Sequence, residues 1–104
     1  MNWNDILHEV ATLKCAEAPV EVAGVQYDSR GVRSGGLFVA MRGGSADGNR
    51  FIEAAISQGA TAVLTDSSEA YEKLRREHAN LGAALVEHGR RALAEASSAL
   101  FGHP

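Results

Sequence analysis

The chain has 104 residues, of which 45% are hydrophobic and 22% are charged, and its formal net charge is −3. This length suits one compact domain, and the two prolines, with no low-complexity tract, argue against a disordered protein. The negative charge disfavours general nucleic-acid binding, and no apolar run approaches the roughly 20 residues of a membrane-spanning helix. Cys15 is the single cysteine, so an internal disulfide is excluded, and without an export signal the expected location is the cytoplasm.

The first part of the chain predicts one helix and two strands. Apolar residues at helical spacing from Trp3 to Leu13 predict an N-terminal helix that ends before Pro19 and carries Cys15 near its end. Residues 20–27 predict a strand, and the apolar run over 37–41 predicts a second strand that is covered on both faces. The linker between these strands has only about nine residues, which is short for a crossover, so we expect them to pair antiparallel.

The rest of the chain alternates helices with strands. Helices are predicted from Gly48 or Asn49 to 59, over 66–80 and over 90–101, and strands over 61–65 and 83–86. Asp66 and Glu69 have the spacing of a capping box, and Gly59 and Gly102 follow helices as C-terminal glycines. The inner face of the last helix is expected to carry Leu93, Ala96, Leu100 and Phe101. This order predicts an α/β domain of two or three layers, with a mixed, mostly parallel sheet of four to five strands flanked by helices.

The residues with chemical potential are concentrated between Asp28 and Arg50. This stretch holds six of the eleven glycines and four arginines against two aspartates, so its local charge is +2 in a chain of −3. Glycine lets backbone N–H groups approach a ligand, and the planar guanidinium of arginine matches phosphate. The stretch therefore predicts an anion site, for a nucleotide or a sugar phosphate. The alternative is a pair of ordinary solvated turns, in which Asp28 and Arg30 form only a local ion pair.

Sequence signatures of catalysis are missing. The sequence contains no P-loop motif, and no G-x-G-x-x-G follows a predicted strand. The four histidines are scattered without the spacing of metal ligands, and no nucleophile stands beside a base. We therefore predict no catalytic residue and no metal site, and interpret the last helix, including Arg90 and Arg91, as core packing.

Several ordered blocks of the sequence resemble the N-terminal domain of the Mur ligases. These blocks are Tyr27–Arg30 (YDSR), Gly35–Ala40 (GGLFVA), Gly43, Asp47–Gly48, Phe51–Ile52, Ala55–Ile56, Gly59–Ala60 and the final segment 100–104 (LFGHP). The last of these favours the branch that makes UDP-N-acetylmuramoyl-tripeptide, and the alternative within the family is the fourth ligase, which adds D-Ala-D-Ala. Gly36 and Asn49 stand where the family usually has aspartate and histidine.

The resemblance implies that residues 1–104 are the UDP-substrate-binding domain of a longer ATP-dependent ligase of peptidoglycan synthesis, which works through an acyl phosphate. The ATP-binding central domain and the C-terminal domain would lie beyond this chain. The resemblance implies ATP and Mg²⁺ for the full-length enzyme. For this domain it implies no cofactor and no catalytic residue. A stand-alone α/β module that binds another anion or a protein is the alternative from a different class.

The partner that the resemblance implies is UDP-N-acetylmuramoyl-L-Ala-D-Glu, held by its UDP part, with no nucleic-acid or membrane partner. Matched by position, the substrate contacts are Tyr27, Ser29, Gly44, Ser45 and Ala46. The residues expected to support these two loops are Asp28, Arg30, Arg42, Asp47 and Asn49.

Overall fold

The computed structural model describes residues 1–42 and 47–102. Within these ranges the strands are β1 (Lys14–Ala16), β2 (Gly24–Gln26), β3 (Gly36–Ala40), β4 (Ala62–Thr65) and β5 (Gly82–Leu85). The α-helices are α1 (Trp3–Leu7), α2 (Ile52–Ser57), α3 (Ser68–Glu77) and α4 (Gly89–Phe101). Two short 3₁₀ turns, Ser29–Gly31 and Gly48–Phe51, follow β2 and precede α2.

The strands form one sheet in the order β1-β5-β4-β3-β2. Strands β2 to β5 are parallel neighbours, and β1 pairs antiparallel with β5. This confirms the predicted α/β class with a mixed, mostly parallel sheet. The expected antiparallel pairing of the first two predicted strands is wrong, because Gly24 lies opposite Gly36 in a parallel register. Since β2 has only three residues, the linker with its 3₁₀ turn is long enough to return the chain to the starting edge.

The N-terminal segment also differs from the prediction. Helix α1 ends at Leu7, and residues 14–16, including Cys15, form an edge strand instead of the end of a helix. The backbone N–H of Leu13 donates to the carbonyl of Leu85 at 2.7 Å, and β1 continues this ladder. The sheet thus satisfies backbone groups that a longer helix would have paired internally, and tertiary pairing overrides the local pattern.

The sheet is covered on both faces by apolar clusters. Trp3 and Ile6 of α1 and the alanines of α4 pack on one face, and Ile52, Tyr71 and Leu74 of α2 and α3 pack on the other. All residues of β3, β4 and β5 are buried, as expected for central parallel strands. The domain therefore has three layers, and the carboxyl ends of β2, β3 and β4 meet at one edge of the sheet.

The helix ends are partly as predicted. Gly59 and Gly102 have φ values of +112° and +84°, which glycine adopts without steric cost. Helix α3 is capped by Ser67, whose side chain accepts the N–H of Ala70, so the prediction that Asp66 caps this helix is wrong. Phe101 is 72% exposed and does not belong to the inner face of α4. No helix of the described residues has the length and apolar character needed to cross a membrane.

Candidate functional site: a cleft at the carboxyl ends of the strands

An open cleft of about 660 Å³ lies at the edge where the parallel strands end. Its lining comes from the residues after β2 (27–30), after β3 (41–42), from Gly48 and Phe51 of the second 3₁₀ turn, from Asp66 after β4, and from Gly89 and Arg90 at the start of α4. Ligands of open α/β sheets bind at this edge, because the loops there are free to vary while the strands hold them in place. The position and the size of the cleft both suit a small ligand.

The loop after β2 is held by an aspartate and an arginine. Asp28 Oδ1 accepts the backbone N–H of Arg30 at 2.9 Å and thereby caps the 3₁₀ turn. The Arg30 guanidinium donates Nε to Oδ1 at 3.1 Å and Nη2 to Oδ2 at 2.8 Å, a two-bond pairing of fork and carboxylate. The Arg30 side chain is the main cause that lowers the pKa of Asp28 to about 2, and Asp28 raises the pKa of Arg30. The local ion pair considered from the sequence is therefore present.

Two predicted contact residues lie on the same loop. Tyr27 is 63% exposed and lines the cleft, so its ring is available to a ligand. Ser29 also lines the cleft but is buried in the 3₁₀ turn. Its carbonyl accepts the Nε2 of Gln58 at 2.7 Å, which ties the loop to the end of α2. The ring of Tyr27 is thus free to stack against a ligand, whereas Ser29 is fixed in place.

The inner part of the cleft is built around Asp66. Its Oδ2 accepts the backbone N–H of Arg42 at 2.8 Å, and its Oδ1 accepts the Nδ2 of Asn49 at 3.0 Å. The Nε of Arg42 lies 4.0 Å from the same carboxylate. Asn49 in turn accepts the hydroxyl of Thr65, a fully buried side chain. This network joins the ends of β3 and β4 to the second 3₁₀ turn.

Asp47 and Gly48 fix the start of that turn. Asp47 Oδ1 accepts both the backbone N–H and the side-chain Nδ2 of Asn49 at 2.9 Å, and the backbone bond is the larger cause that lowers the pKa of Asp47. The N–H of Gly48 donates to the carbonyl of Met41 at 2.8 Å, and a Cβ at Gly48 would lie 2.9 Å from the backbone N and O of Met41. Glycine is therefore required where the turn crosses the end of β3.

The structure places the residues predicted from the sequence in three groups. Tyr27, Asp28, Ser29, Arg30 and Arg42 line the cleft. Asp47 and Asn49 do not line this cleft, and their hydrogen bonds hold the second 3₁₀ turn. The predicted contacts Gly44, Ser45 and Ala46 lie outside the described residues.

The sequence interpretation missed Asp66 and Arg90. The sequence predicts Asp66 as part of a helix cap and Arg90 as part of a helix that packs on the core. Both follow strands at the same edge of the sheet as the predicted loops. The signal for both residues is their position after parallel strands, because ligands of open α/β sheets bind beyond the carboxyl ends of the strands.

The resemblance implies Mg²⁺ and ATP for a longer enzyme, and the lining of the cleft bears on whether these groups fit here. Its described carboxylates are those of Asp28 and Asp66, and both are already engaged by arginine or amide groups. A magnesium ion prefers carboxylate oxygens that are free to coordinate it, and the sequence has no P-loop for a triphosphate. The described part of the cleft therefore does not fit these groups.

One group outside the cleft could offer three metal ligands. Glu53, Glu77 and His78 have ligand atoms within 4.8 Å of one another, and the two glutamates are exposed. His78 Nε2 lies 3.0 Å from a carboxylate oxygen of Glu53, a contact that links α2 with the end of α3. This pairing accounts for the position of the histidine without an ion.

Comparison with known proteins agrees with this architecture. A family described as "Mur ligase family, catalytic domain" matches residues 21–100. The chain is 39% identical over 105 residues to the UDP-N-acetylmuramoyl-L-alanyl-D-glutamate--2,6-diaminopimelate ligase of Bradyrhizobium diazoefficiens, which covers 97% of the chain and 19% of that protein. It is 41% identical over 103 residues to the UDP-N-acetylmuramyl-tripeptide synthetase of Roseiflexus sp., covering 94% of the chain and 19% of that protein. The chain belongs to the Mur ligase family, as the resemblance in its sequence predicted.

The solved structures add the fold. Crystal structure II of MurF from Acinetobacter baumannii matches with a TM-score of 0.71 at 18% identity, over 94% of this chain and 20% of that one. At this identity the match speaks for the fold alone. The chain spans about a fifth of the length of the curated relatives it matches.

Proposed function

We propose that this chain binds the UDP end of UDP-N-acetylmuramoyl-L-Ala-D-Glu for a ligase that adds the third residue of the peptidoglycan stem peptide. The observation that carries the proposal is the cleft at the carboxyl ends of β2, β3 and β4, with an exposed tyrosine, a serine and three arginines in its lining. Relatives of this chain carry names that state this substrate and this step. Their names support the proposal, while the cleft supplies its physical basis.

The chemistry of the lining suits a nucleoside diphosphate. A volume of about 660 Å³ is within the usual range for small-ligand sites. The exposed ring of Tyr27 offers a face on which a base can stack, and the hydroxyl of Ser29 can donate to a uracil or phosphate oxygen. Gly44, Ser45 and Ala46 remain proposed contacts through their backbone N–H groups.

In this proposal the chain contributes binding and orientation. Holding the UDP end places the distant carboxylate of the substrate for reaction, without lowering the chemical barrier itself. ATP, Mg²⁺ and the acyl-phosphate step are assigned to other domains of a longer cytoplasmic enzyme, because the described part of the cleft has no free carboxylates and the sequence has no P-loop.

The fourth ligase of the pathway is the second candidate. Solved structures of similar fold carry the name of the D-alanyl-D-alanyl-adding enzyme. These matches have 18% identity, whereas relatives at 39–41% identity are named for the third step. Since both substrates share the UDP end, the binding role of the cleft is the same in either case.

The test is a calorimetric titration of the chain with UDP-N-acetylmuramoyl-L-Ala-D-Glu and, separately, with ATP. We expect the UDP compound to bind and ATP to bind far more weakly. Ser29→Ala should weaken binding of the UDP compound about fivefold, since an ordinary hydrogen bond contributes about 1 kcal/mol. Ser57→Ala, a change at an exposed serine of α2, is the matched control and should have no effect. Binding of ATP without binding of the UDP compound would refute the proposed function.

A further inference from the structure

We infer that Arg90 is the residue that holds the diphosphate and makes the cleft select a nucleoside diphosphate over the free nucleoside. This inference rests on the proposed function and adds to it the residue that reads the phosphates. Its basis is that some arginines of the cleft form ion pairs with carboxylates of the protein, whereas another faces the cleft without such a pair among the described residues.

The cleft lining holds three arginines and two aspartates. Arg30 is bound to Asp28 by two hydrogen bonds of 3.1 and 2.8 Å, so its fork of donors is already matched by a carboxylate. A phosphate would have to compete with Asp28 for this guanidinium. Arg30 is therefore a brace for the loop after β2, and its charge is largely balanced before any ligand arrives.

Arg42 is also associated with an acid. Its Nε lies 4.0 Å from Asp66, whose side chain is only 12% exposed, and its backbone N–H donates to the same carboxylate. A carboxylate with so little contact with water has few other partners for its charge. Asp66 therefore balances Arg42, although less tightly than Asp28 balances Arg30.

Arg90 differs from both. Among the described residues no carboxylate forms an ion pair with it, while the next residue, Arg91, pairs with Glu95 at 3.5 Å on the same helix. In the described part of the lining, two aspartates balance two of the three arginines, so the positive charge left over belongs to Arg90. Its five N–H donors are free to bind phosphate oxygens.

The start of α4 brings this residue to the cleft. Gly89 packs against Met41 so closely that a Cβ there would lie 2.5 Å from the Met41 Cγ. The helix can approach the end of β3 because glycine has no side chain at this point. Arg90 follows directly and lines the same cleft as Tyr27 and Ser29, which allows one ligand to contact all three.

The experiment compares UDP with uridine by chemical-shift titration of the chain and two variants. Arg90→Gln should weaken UDP binding about tenfold, the lower end for a charge-assisted hydrogen bond, and change uridine binding by less than twofold. Arg90→Lys should recover part of the loss, because it restores the charge without the planar fork. Arg91→Gln, the matched control on the neighbouring residue, should leave both affinities within twofold.

The outcomes separate this inference from the proposed function. If the unmodified chain binds neither UDP nor uridine, the proposed function fails, and the inference fails with it. If the chain binds UDP and Arg90→Gln binds it equally well, or loses uridine as strongly as UDP, only the role of Arg90 is refuted. An unchanged unfolding midpoint for Arg90→Gln shows that the loss is not one of folding.

Discussion

Replacement of Asp66 by alanine should destabilise the domain from inside the cleft. The carboxylate accepts the backbone N–H of Arg42 at 2.8 Å and the Nδ2 of Asn49 at 3.0 Å, with its side chain 12% exposed. Hydrogen bonds to charged groups contribute roughly 1.5–3 kcal/mol each, and water can replace part of this at a site that is not fully closed. We therefore expect Asp66→Ala to lower the free energy of unfolding by about 2–4 kcal/mol.

The assay is thermal unfolding followed by circular dichroism, together with amide hydrogen exchange. For a domain of about 100 residues such a loss corresponds to a fall in Tm of roughly 10–20 °C. The amide of Arg42 should also exchange faster, because its acceptor is gone. Asp66→Asn should lower the free energy of unfolding by about half as much. Its amide oxygen can still accept from Arg42, while its NH₂ group faces the NH₂ group of Asn49.

Glu17→Ala is the matched control for this prediction, because Glu17 is exposed and makes no hydrogen bond or ion pair with the described residues. It should change the free energy of unfolding by less than about 0.5 kcal/mol. The reasoning is refuted if Asp66→Ala shifts Tm no more than this control, or if the exchange of the Arg42 amide stays the same.

Further variants test the core and the first loop. Gly82→Ala should lower the free energy of unfolding in urea by about 3 kcal/mol or more, because its Cβ would overlap the fully buried indole of Trp3. A Cβ at Gly24 would meet free space, so Gly24→Ala should lower this free energy far less. Asp28 has a folded-state pKa of about 2, below its ordinary value of 3.8, and the first cause is the hydrogen bond from the Arg30 side chain. The carboxylate therefore stabilises the folded state above pH 4, and this stabilisation is lost as the pH falls towards 2. Asp28→Asn should flatten this part of the pH profile of Tm, and an identical profile would contradict the ion-pair argument.

The helices and strands of the central and C-terminal parts of the chain could be predicted because their signals are local. The apolar run that predicts a strand over 37–41 forms β3 at Gly36–Ala40, and the helix predicted over 90–101 is α4 at Gly89–Phe101. Central strands need apolar residues on both faces, and a glycine can end a helix wherever the chain must leave it. Each of these requirements acts on a few neighbouring residues, so a single sequence reports it.

The N-terminal part could not be predicted in the same way. Residues 14–16 form a strand only because β5, far along the chain, offers an edge. Their sequence, Lys-Cys-Ala, has no alternation, and the preceding apolar residues fit a helix equally well. Where a segment is as short as three residues, the partner decides its conformation. The pairing of β2 with β3 has the same cause, since direction is set by the path of the linker.

The charge of the cleft shows a further limit of prediction from neighbouring residues in the sequence. The stretch from Asp28 to Arg50 carries a local charge of +2, which predicts an anion-binding region but does not say which arginine is available. Arg30 is balanced from within the stretch, by Asp28, and Arg42 from outside it, by Asp66. Among the described residues of the cleft, the arginine without an ion pair is Arg90, which also comes from outside the stretch. The charge that a ligand meets therefore depends on which carboxylates the fold brings to each guanidinium, and it follows from the sheet topology more than from any count along the sequence.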